Sequence, residues 1–87
     1  MELKTKFEEA VVNSKNLAQK PGNDTLLQLY GLYKQSTEGD LNIVPPANPF
    51  DFVAKAKFEA WEQLIGMPKD AAMEQYIALV KSLQQGA

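Results

Sequence analysis

Apolar residues recur every three or four positions in four separate stretches of the chain, which is the period of an amphipathic α-helix. Strand-like alternation with a period of two is absent. The pattern predicts four helices: Glu2 to about Gln19, about Thr25 to Glu38, Phe50 to Ile65, and a fourth that begins near Pro68 and continues to about Gln85. We therefore expect an all-α bundle.

Residues with turn and cap chemistry separate these stretches. Pro21 cannot continue the hydrogen bonds of the first helix. Asn23 or Asp24 suits the N-cap of the second helix, and Gly39 tolerates the left-handed conformation that ends it. Asp51 is the expected cap of the third helix.

The link between the second and third helices is the one extended connection, DLNIVPPANP at residues 40–49. Its three prolines exclude a helix and favour turns or polyproline II. Ile43 and Val44 are expected to pin this link to the bundle. Its length suits a segment that crosses the end of a bundle.

The second helix has two apolar faces, where a surface helix needs one. With about 100° per residue, Leu29 and Leu32 lie opposite Tyr30, whereas Tyr33 and Lys34 lie on the same side as Tyr30. Leu26 and Leu27 also belong to that side. One face can bury against the bundle, and the face with the phenols and the ammonium is expected to meet something else.

Three further positions need explanation. Lys57 falls inside an apolar arc on the third helix, between Trp61 and Leu64. It either extends along Trp61 to water or serves a ligand, since burying an unpaired ammonium is costly. Tyr76 lies in the middle of the apolar stripe of the fourth helix, and this position predicts a core residue whose hydroxyl needs a partner. Lys15 lies beside the first stripe, as a solvated lysine does.

Composition excludes several functions. The 87 residues fit a single domain over residues 1–87, and they contain no Cys and no His. Disulfides, thiolate chemistry and the Ser-His-Asp type of catalytic site are thereby excluded, and no metal-ligand spacing is found. The carboxylates fall on faces predicted to be exposed, so we expect no enzyme.

Charge and hydropathy limit the classes of partner that the chain is expected to bind. All nine basic residues are lysines, and the net charge is −2. This balance argues against a nucleic-acid binder. No apolar run reaches the roughly 20 residues needed to span a bilayer, so membrane insertion is not expected. The predicted setting is the cytosol.

Two kinds of binding remain open on these grounds. Lysines next to phenols suit a phosphate beside a ring that can stack, and extra apolar surface suits an aliphatic chain. The same surface suits a partner helix, and pattern alone favours such a helical protein–protein interaction module. A thioesterase is disfavoured because no His or Cys is present to supply or activate a nucleophile.

Three motifs narrow this choice. The runs LYGLYKQSTEGD, DFVAKAKFEAWEQLIG and DAAMEQYIALV occur in this order, separated by the Pro-rich link. Together they resemble the acyl-CoA-binding protein family in order and nearly in spacing. The resemblance covers about Phe7 to Leu83, nearly the whole chain.

The resemblance implies a skewed up-down-down-up four-helix bundle that carries medium- to long-chain fatty acyl-CoA as a cytosolic monomer, with no cofactor and no catalytic step. It implies that Tyr30 lies beside the adenine and 3′-phosphate, with Tyr33 and Lys34 as its partners. It further implies that Lys57 contacts the 3′-phosphate, that Lys15 lies near the phosphates and that Tyr76 faces the CoA head group.

The chain departs from the family pattern at three points. Val53 stands where many relatives have a lysine, which removes one potential phosphate contact. Phe58 replaces a frequent tryptophan. The Pro-rich link is one residue longer than usual, which leaves the rim of the site undefined by sequence.

Overall fold

Four α-helices form the frame of the protein, as the periodicity predicts. The computed structural model describes residues 2–85, and no strand occurs in that range. The helices are α1 (Leu3–Ser14), α2 (Asn23–Glu38), α3 (Phe52–Glu62) and α4 (Lys69–Gln85). Residues 1, 86 and 87 lie outside the described part, so the limits of the domain expected over residues 1–87 stay a prediction. Across residues 2–85, no helix combines the length and the hydropathy that crossing a membrane requires.

Helix α2 occupies the centre of the bundle. It packs against α4 on one side and α3 on the other, and α4 also packs against α1. The predicted up-down-down-up arrangement is confirmed. Since α2 and α3 point the same way, the link between them must return along the bundle. Within the described range α3 packs on α2 alone among the helices, so much of its surface stays open.

The core joins α1, α2 and α4. Leu29 and Leu32 are both buried in it, which confirms the face of α2 expected to hold the bundle. The buried cluster also contains Phe7, Ala10, Ala72, Tyr76 and Val80. Two residues of α2 that the hydrophobic pattern did not identify are also buried, namely Gln35 and Ser36.

Helix α1 ends at Ser14, and the prediction of about Gln19 is wrong. The Ser14 hydroxyl donates to the Val11 carbonyl at 2.7 Å, and the Asn16 amide donates to the Val12 carbonyl at 3.2 Å. These side chains bind carbonyl groups of the last helical turn, which favours ending the helix there.

The caps of α2 and α3 differ in how well the sequence predicts them. Gly22 is the N-cap of α2, in place of the expected Asn23 or Asp24. Gly39 ends the helix as predicted, with φ at 82°. The Asp51 carboxylate accepts a hydrogen bond from the backbone N–H of Ala54 at 3.0 Å, so the predicted cap of α3 is confirmed.

Helix α3 ends at Glu62, before the predicted Ile65. The backbone N–H of Leu64 bonds the Trp61 carbonyl at 2.9 Å, and that of Ile65 bonds the Glu62 carbonyl at 3.2 Å. These contacts three residues apart tighten the chain into a turn that leads to Gly66, where φ is 96°. Ile65 is exposed, although the wheel places it in the apolar arc.

A polar cluster, here called the latch, ties the end of α2 to the end of α3. The Trp61 indole N–H donates to the Gly39 carbonyl at 2.9 Å. Asp40 Oδ1 accepts from the Gly66 backbone N–H at 2.8 Å and from Gln35 Nε2 at 2.9 Å. Gln35 Nε2 also donates to the carbonyl of Met67 at 2.8 Å. The latch consists of Gln35, Gly39, Asp40, Trp61, Gly66 and Met67.

The latch explains why another prediction is wrong. Ile43 and Val44 do not pin the link to the bundle, since 51% and 82% of their surfaces are exposed. Polar bonds hold the start of the link, and the Asp51 cap holds its end. The apolar side chains between these two points are therefore exposed to solvent.

Candidate functional site

Lys34 lies at the contact between α2 and α3. Its ammonium forms an ion pair with Glu38, one turn further along α2. The same ammonium lies 5.1 Å from the centre of the Trp61 ring. The hydrogen bond to Glu38 raises the pKa of Lys34, and the bond from Lys34 lowers the pKa of Glu38. Lys34 is thus a fixed positive charge held by a carboxylate and a ring.

Lys57 is a second cation next to a ring. Its ammonium lies 5.4 Å from the centre of the Tyr30 ring, across the α2–α3 contact. The wheel places Lys57 inside an apolar arc, yet the residue is exposed because no helix other than α2 packs on α3 within residues 2–85. Of the two alternatives for Lys57, a path along Trp61 to water or a role in binding a ligand, the first has the wrong ring, since the ammonium lies over Tyr30.

The backbones of α2 and α3 approach each other closely, so the lysine on each helix reaches an aromatic ring on the other. A Cβ atom added to Gly31 would lie 2.8 Å from the carbonyl oxygen of Ala60. Real Cβ contacts are essentially never that short, so glycine is what allows α2 and α3 to approach this closely. Lys34 can then reach Trp61, and Lys57 can reach Tyr30.

Three aromatic rings connect α1, α2 and α4. The centres of Phe7 and Tyr33 are 6.0 Å apart with nearly parallel rings, and Phe7 meets Tyr76 edge-on at 5.1 Å. Tyr33 remains 41% exposed, whereas Tyr76 is 4% exposed. The Tyr76 hydroxyl donates to Ser14 Oγ at 3.1 Å. Tyr76 is therefore the core residue that its position predicts, with the hydrogen-bond partner it requires.

A cavity of about 490 Å³ lies beside this aromatic cluster. Phe7, Tyr33 and Met73 give it apolar walls, and Lys4, Lys69 and Glu8 place charges of both signs along it. A larger cavity of about 590 Å³ lies between α2, α3 and α4, with Leu27 and Ala60 among its walls. None of the six predicted site residues lines the larger cavity, and Tyr33 alone of them lines the smaller one.

Lys15 stands apart from the other predicted residues. It is exposed and caps the C-terminal end of α1. Within residues 2–85, no ion pair or hydrogen bond links its ammonium to the other five. Its connection to them is sequential, since it follows Ser14, which holds the Tyr76 hydroxyl.

Sequence reasoning missed three partners in this region. Glu38 is four residues after Lys34, a spacing that pairs opposite charges on a helix and was available as a signal. Trp61 as the ring under Lys34 and Phe7 as the ring beside Tyr33 depend on how helices distant in sequence pack. Within the described residues no group of three or more acidic side chains is arranged to hold a metal ion.

Comparison with known proteins gives consistent results. The sequence model described as "Acyl CoA binding protein" matches residues 4–80. The acyl-CoA-binding protein of Dictyostelium discoideum is 49% identical over 91% of this chain and 93% of that protein. Enoyl-CoA delta isomerase 2 of Rattus norvegicus is 46% identical over 93% of this chain, but the match spans 20% of that longer protein.

A solved structure extends the likeness to three dimensions. The crystal structure of Oryza sativa acyl-CoA-binding protein 2 superposes with a TM-score of 0.91 at 36% sequence identity, covering 98% of this chain and 93% of that one. The family predicted from the three sequence motifs is thereby confirmed. The chain belongs to the acyl-CoA-binding protein family.

Proposed function

We propose that this chain binds medium- to long-chain fatty acyl-CoA thioesters and acts as their cytosolic carrier, as a monomer and without a catalytic step. Membership of the family supports the ligand class. The observation that carries the proposal is the pair of lysines on adjacent helices, Lys34 over Trp61 and Lys57 over Tyr30. No nucleic acid enters the proposal, because the net charge of the chain is −2.

The two ammonium groups suit the phosphates of CoA. Lys57 is exposed, so a phosphate can reach its ammonium without breaking into the core. The Tyr30 ring beneath it offers a surface on which adenine can stack. Lys34 is already held by Glu38, so a phosphate must share that ammonium or displace the carboxylate. Lysine binds phosphate as a point charge, and two of them fix the orientation of the head group.

The aromatic cluster completes the proposed site. Tyr33 presents an exposed ring on the same helix as Lys34. Tyr76 lies beneath it, 6.5 Å from ring centre to ring centre, and supports it from the core. In this proposal Tyr76 acts on the head group through Tyr33, since its ring is 4% exposed and its hydroxyl donates to Ser14. Lys15 approaches the phosphates from the end of α1.

The acyl chain supplies most of the affinity in this mechanism. Burying each CH₂ group contributes about 0.8 kcal/mol, so a 16-carbon chain contributes on the order of 10 kcal/mol before losses. Ordering the ligand and removing water from its polar groups offset much of this gain. The phosphate contacts then decide which head group is accepted. Val53, at the position where the family resemblance implies a lysine in many relatives, supplies no such contact.

Calorimetry with palmitoyl-CoA and with free CoA tests the proposal. We expect palmitoyl-CoA to bind at least a hundredfold more tightly than free CoA, because only palmitoyl-CoA buries an acyl chain. This ratio corresponds to a difference of about 2.7 kcal/mol in binding free energy. Native mass spectrometry with a series of acyl-CoAs will report the stoichiometry, expected to be one ligand per chain. Absence of binding would refute the carrier role. Equal affinities for palmitoyl-CoA and CoA would refute the claim that the acyl chain supplies most of the affinity. Release of free CoA from palmitoyl-CoA would reveal a thioesterase.

A further inference from the structure

Glu38 is the last residue of α2, and its carboxylate pairs with the ammonium of Lys34 one turn earlier. Among residues 2–85 this is the one ion pair between side chains. Both side chains are partly open to solvent, with 25% of Lys34 and 41% of Glu38 exposed. A ligand can therefore reach the pair, which lies where a phosphate is proposed to bind.

Helix stability does not account for this carboxylate. The C-terminal end of a helix carries partial negative charge, so an acidic residue is unfavourable there and a basic one is favourable. The last turn of α2 contains no basic residue. The order of the pair is also the weaker one, because a glutamate four positions before a lysine pairs better than one four positions after it. Glu38 thus lies where the energetics of the helix itself disfavour it.

The Lys34 ammonium has little room for a second anion. The Trp61 ring, with its centre 5.1 Å away, covers one side of the ammonium, and the Glu38 carboxylate occupies another. A phosphate oxygen bonded to the same ammonium would lie close to that carboxylate, and like charges at such a distance repel. A phosphate monoester carries a charge of about −1.5 to −2 at pH 7, so this repulsion exceeds that between two carboxylates.

Lys57 provides a comparison within the same molecule. Its ammonium also lies over an aromatic ring, that of Tyr30, and the residue is exposed. No carboxylate in the described part of the chain forms an ion pair with it. The two cation–ring contacts between α2 and α3 are thus alike in kind, and Glu38 is what distinguishes the one at Lys34.

We propose that Glu38 competes with the phosphates of the ligand for Lys34, and that it holds the affinity of the site below what the ammonium alone would give. A phosphate that arrives shares the ammonium or displaces the carboxylate, and the carboxylate takes the ammonium back when the ligand leaves. This competition favours release of the cargo, which a carrier requires. The inference rests on the proposed function, because the competing anion is the head group of acyl-CoA.

Calorimetry with palmitoyl-CoA tests the competition. Glu38→Gln keeps the length of the side chain and removes its charge, so it should bind about three- to tenfold more tightly than the wild type, the effect of one nearby charge in water. Glu74→Gln is the matched control, since it changes the net charge equally. Glu74 is exposed on α4, about 160° around the helix from the buried Tyr76, and its variant should bind like the wild type. Circular dichroism checks that each variant is folded.

A second pair of variants assigns the effect to Lys34. When Lys34→Ala is already present, adding Glu38→Gln should change the affinity by less than about twofold, because no ammonium is left to compete for. An equal gain with and without Lys34 would overturn the competition in favour of general repulsion.

Unchanged or weaker binding by Glu38→Gln would also overturn it, because the carboxylate would then be inert or would position Lys34 for the phosphate. In these cases the wild type still binds palmitoyl-CoA, and the proposed function stands. If neither the wild type nor Glu38→Gln binds palmitoyl-CoA, the proposed function fails, and this inference fails with it.

Discussion

The Lys57 ammonium on α3 lies 5.4 Å from the centre of the Tyr30 ring on α2, so the two helices share a cation–π contact at the surface. At an exposed position such a contact contributes about 0.5–1 kcal/mol. Its greater importance is geometric, since it holds a positive charge over the ring of Tyr30, a residue that is only partly buried. A ligand with a phosphate beside an aromatic base fits this pair.

Replacing Lys57 tests its proposed role. Lys57→Ala should weaken palmitoyl-CoA binding about 10- to 100-fold, since a hydrogen bond to a charged group contributes about 1.5–3 kcal/mol. Lys55→Ala is the matched control on the same helix and should have little effect. Calorimetry gives both affinities, and circular dichroism checks the fold. Equal affinities for Lys57→Ala and the wild type would remove this residue from the site.

The contact between α2 and α3 predicts a stability effect at Gly31. Gly31→Ala should lower the free energy of unfolding by about 1–3 kcal/mol, because the new Cβ would meet the Ala60 carbonyl oxygen at 2.8 Å. Gly22→Ala is the control, since no atom lies within 4 Å of a Cβ added there. It should cost less than about 1 kcal/mol, the scale of a helix cap. Urea unfolding compares the two, and similar losses would contradict the close approach.

The latch predicts a dependence of stability on pH. The hydrogen bond from the Gly66 backbone N–H, followed by that from Gln35, lowers the pKa of Asp40. A carboxylate with a depressed folded-state pKa stabilises the protein above its unfolded-state pKa, and this contribution is lost as the pH falls through the folded value. Asp40 should therefore stabilise the fold above about pH 4 and lose that effect below it.

Asp40→Asn isolates this contribution. The amide oxygen can still accept both hydrogen bonds but does not titrate. The free energy of unfolding of the wild type should exceed that of Asp40→Asn at neutral pH, and the gap should close in acid. Urea unfolding at a series of pH values measures the gap, and a gap independent of pH would show that the Asp40 charge does not matter.

The hydroxyl of Tyr76 is predicted to contribute to the free energy of unfolding and not to the affinity for palmitoyl-CoA. Tyr76→Phe should reduce the free energy of unfolding by about 1 kcal/mol, the net value of a hydrogen bond, and leave palmitoyl-CoA affinity within about twofold. A double-mutant cycle with Ser14→Ala should show coupling, since the two hydroxyls are 3.1 Å apart. Additive losses, or a large loss of affinity in Tyr76→Phe, would assign the hydroxyl to the ligand.

Helical periodicity was sufficient to predict the four helices, and it identified Leu29 and Leu32 as the buried face of α2. The reason is that burial of a helix face repeats with the helix itself. The three motifs predicted the family and its bundle. The first two contain the lysines and rings that meet where α2 packs on α3. The contacts of Lys34 and Lys57 with rings on the opposite helix could not be predicted, since they depend on the distance between α2 and α3 at Gly31.

Other errors have a common physical origin. A wheel shows which residues share a face but not whether another element covers that face. Ile65 and Lys57 share an arc with Trp61, yet of these three only Trp61 is fully buried, because in the described part of the chain α3 packs on α2 alone among the helices. Likewise Ile43 and Val44 are apolar enough for a core, but the link is held by polar bonds at the latch and not by these two side chains.

The latch also bears on how this family can diverge. Asp40 fixes the start of the link to Gly66, and Asp51 caps the helix that follows it. Residues between these anchors can be added or removed without moving either helix, and lengthening a loop that is already closed costs only a few tenths of a kcal/mol. A change of length in the Pro-rich link should therefore be nearly neutral for stability, and Lys34 and Lys57 should keep their places.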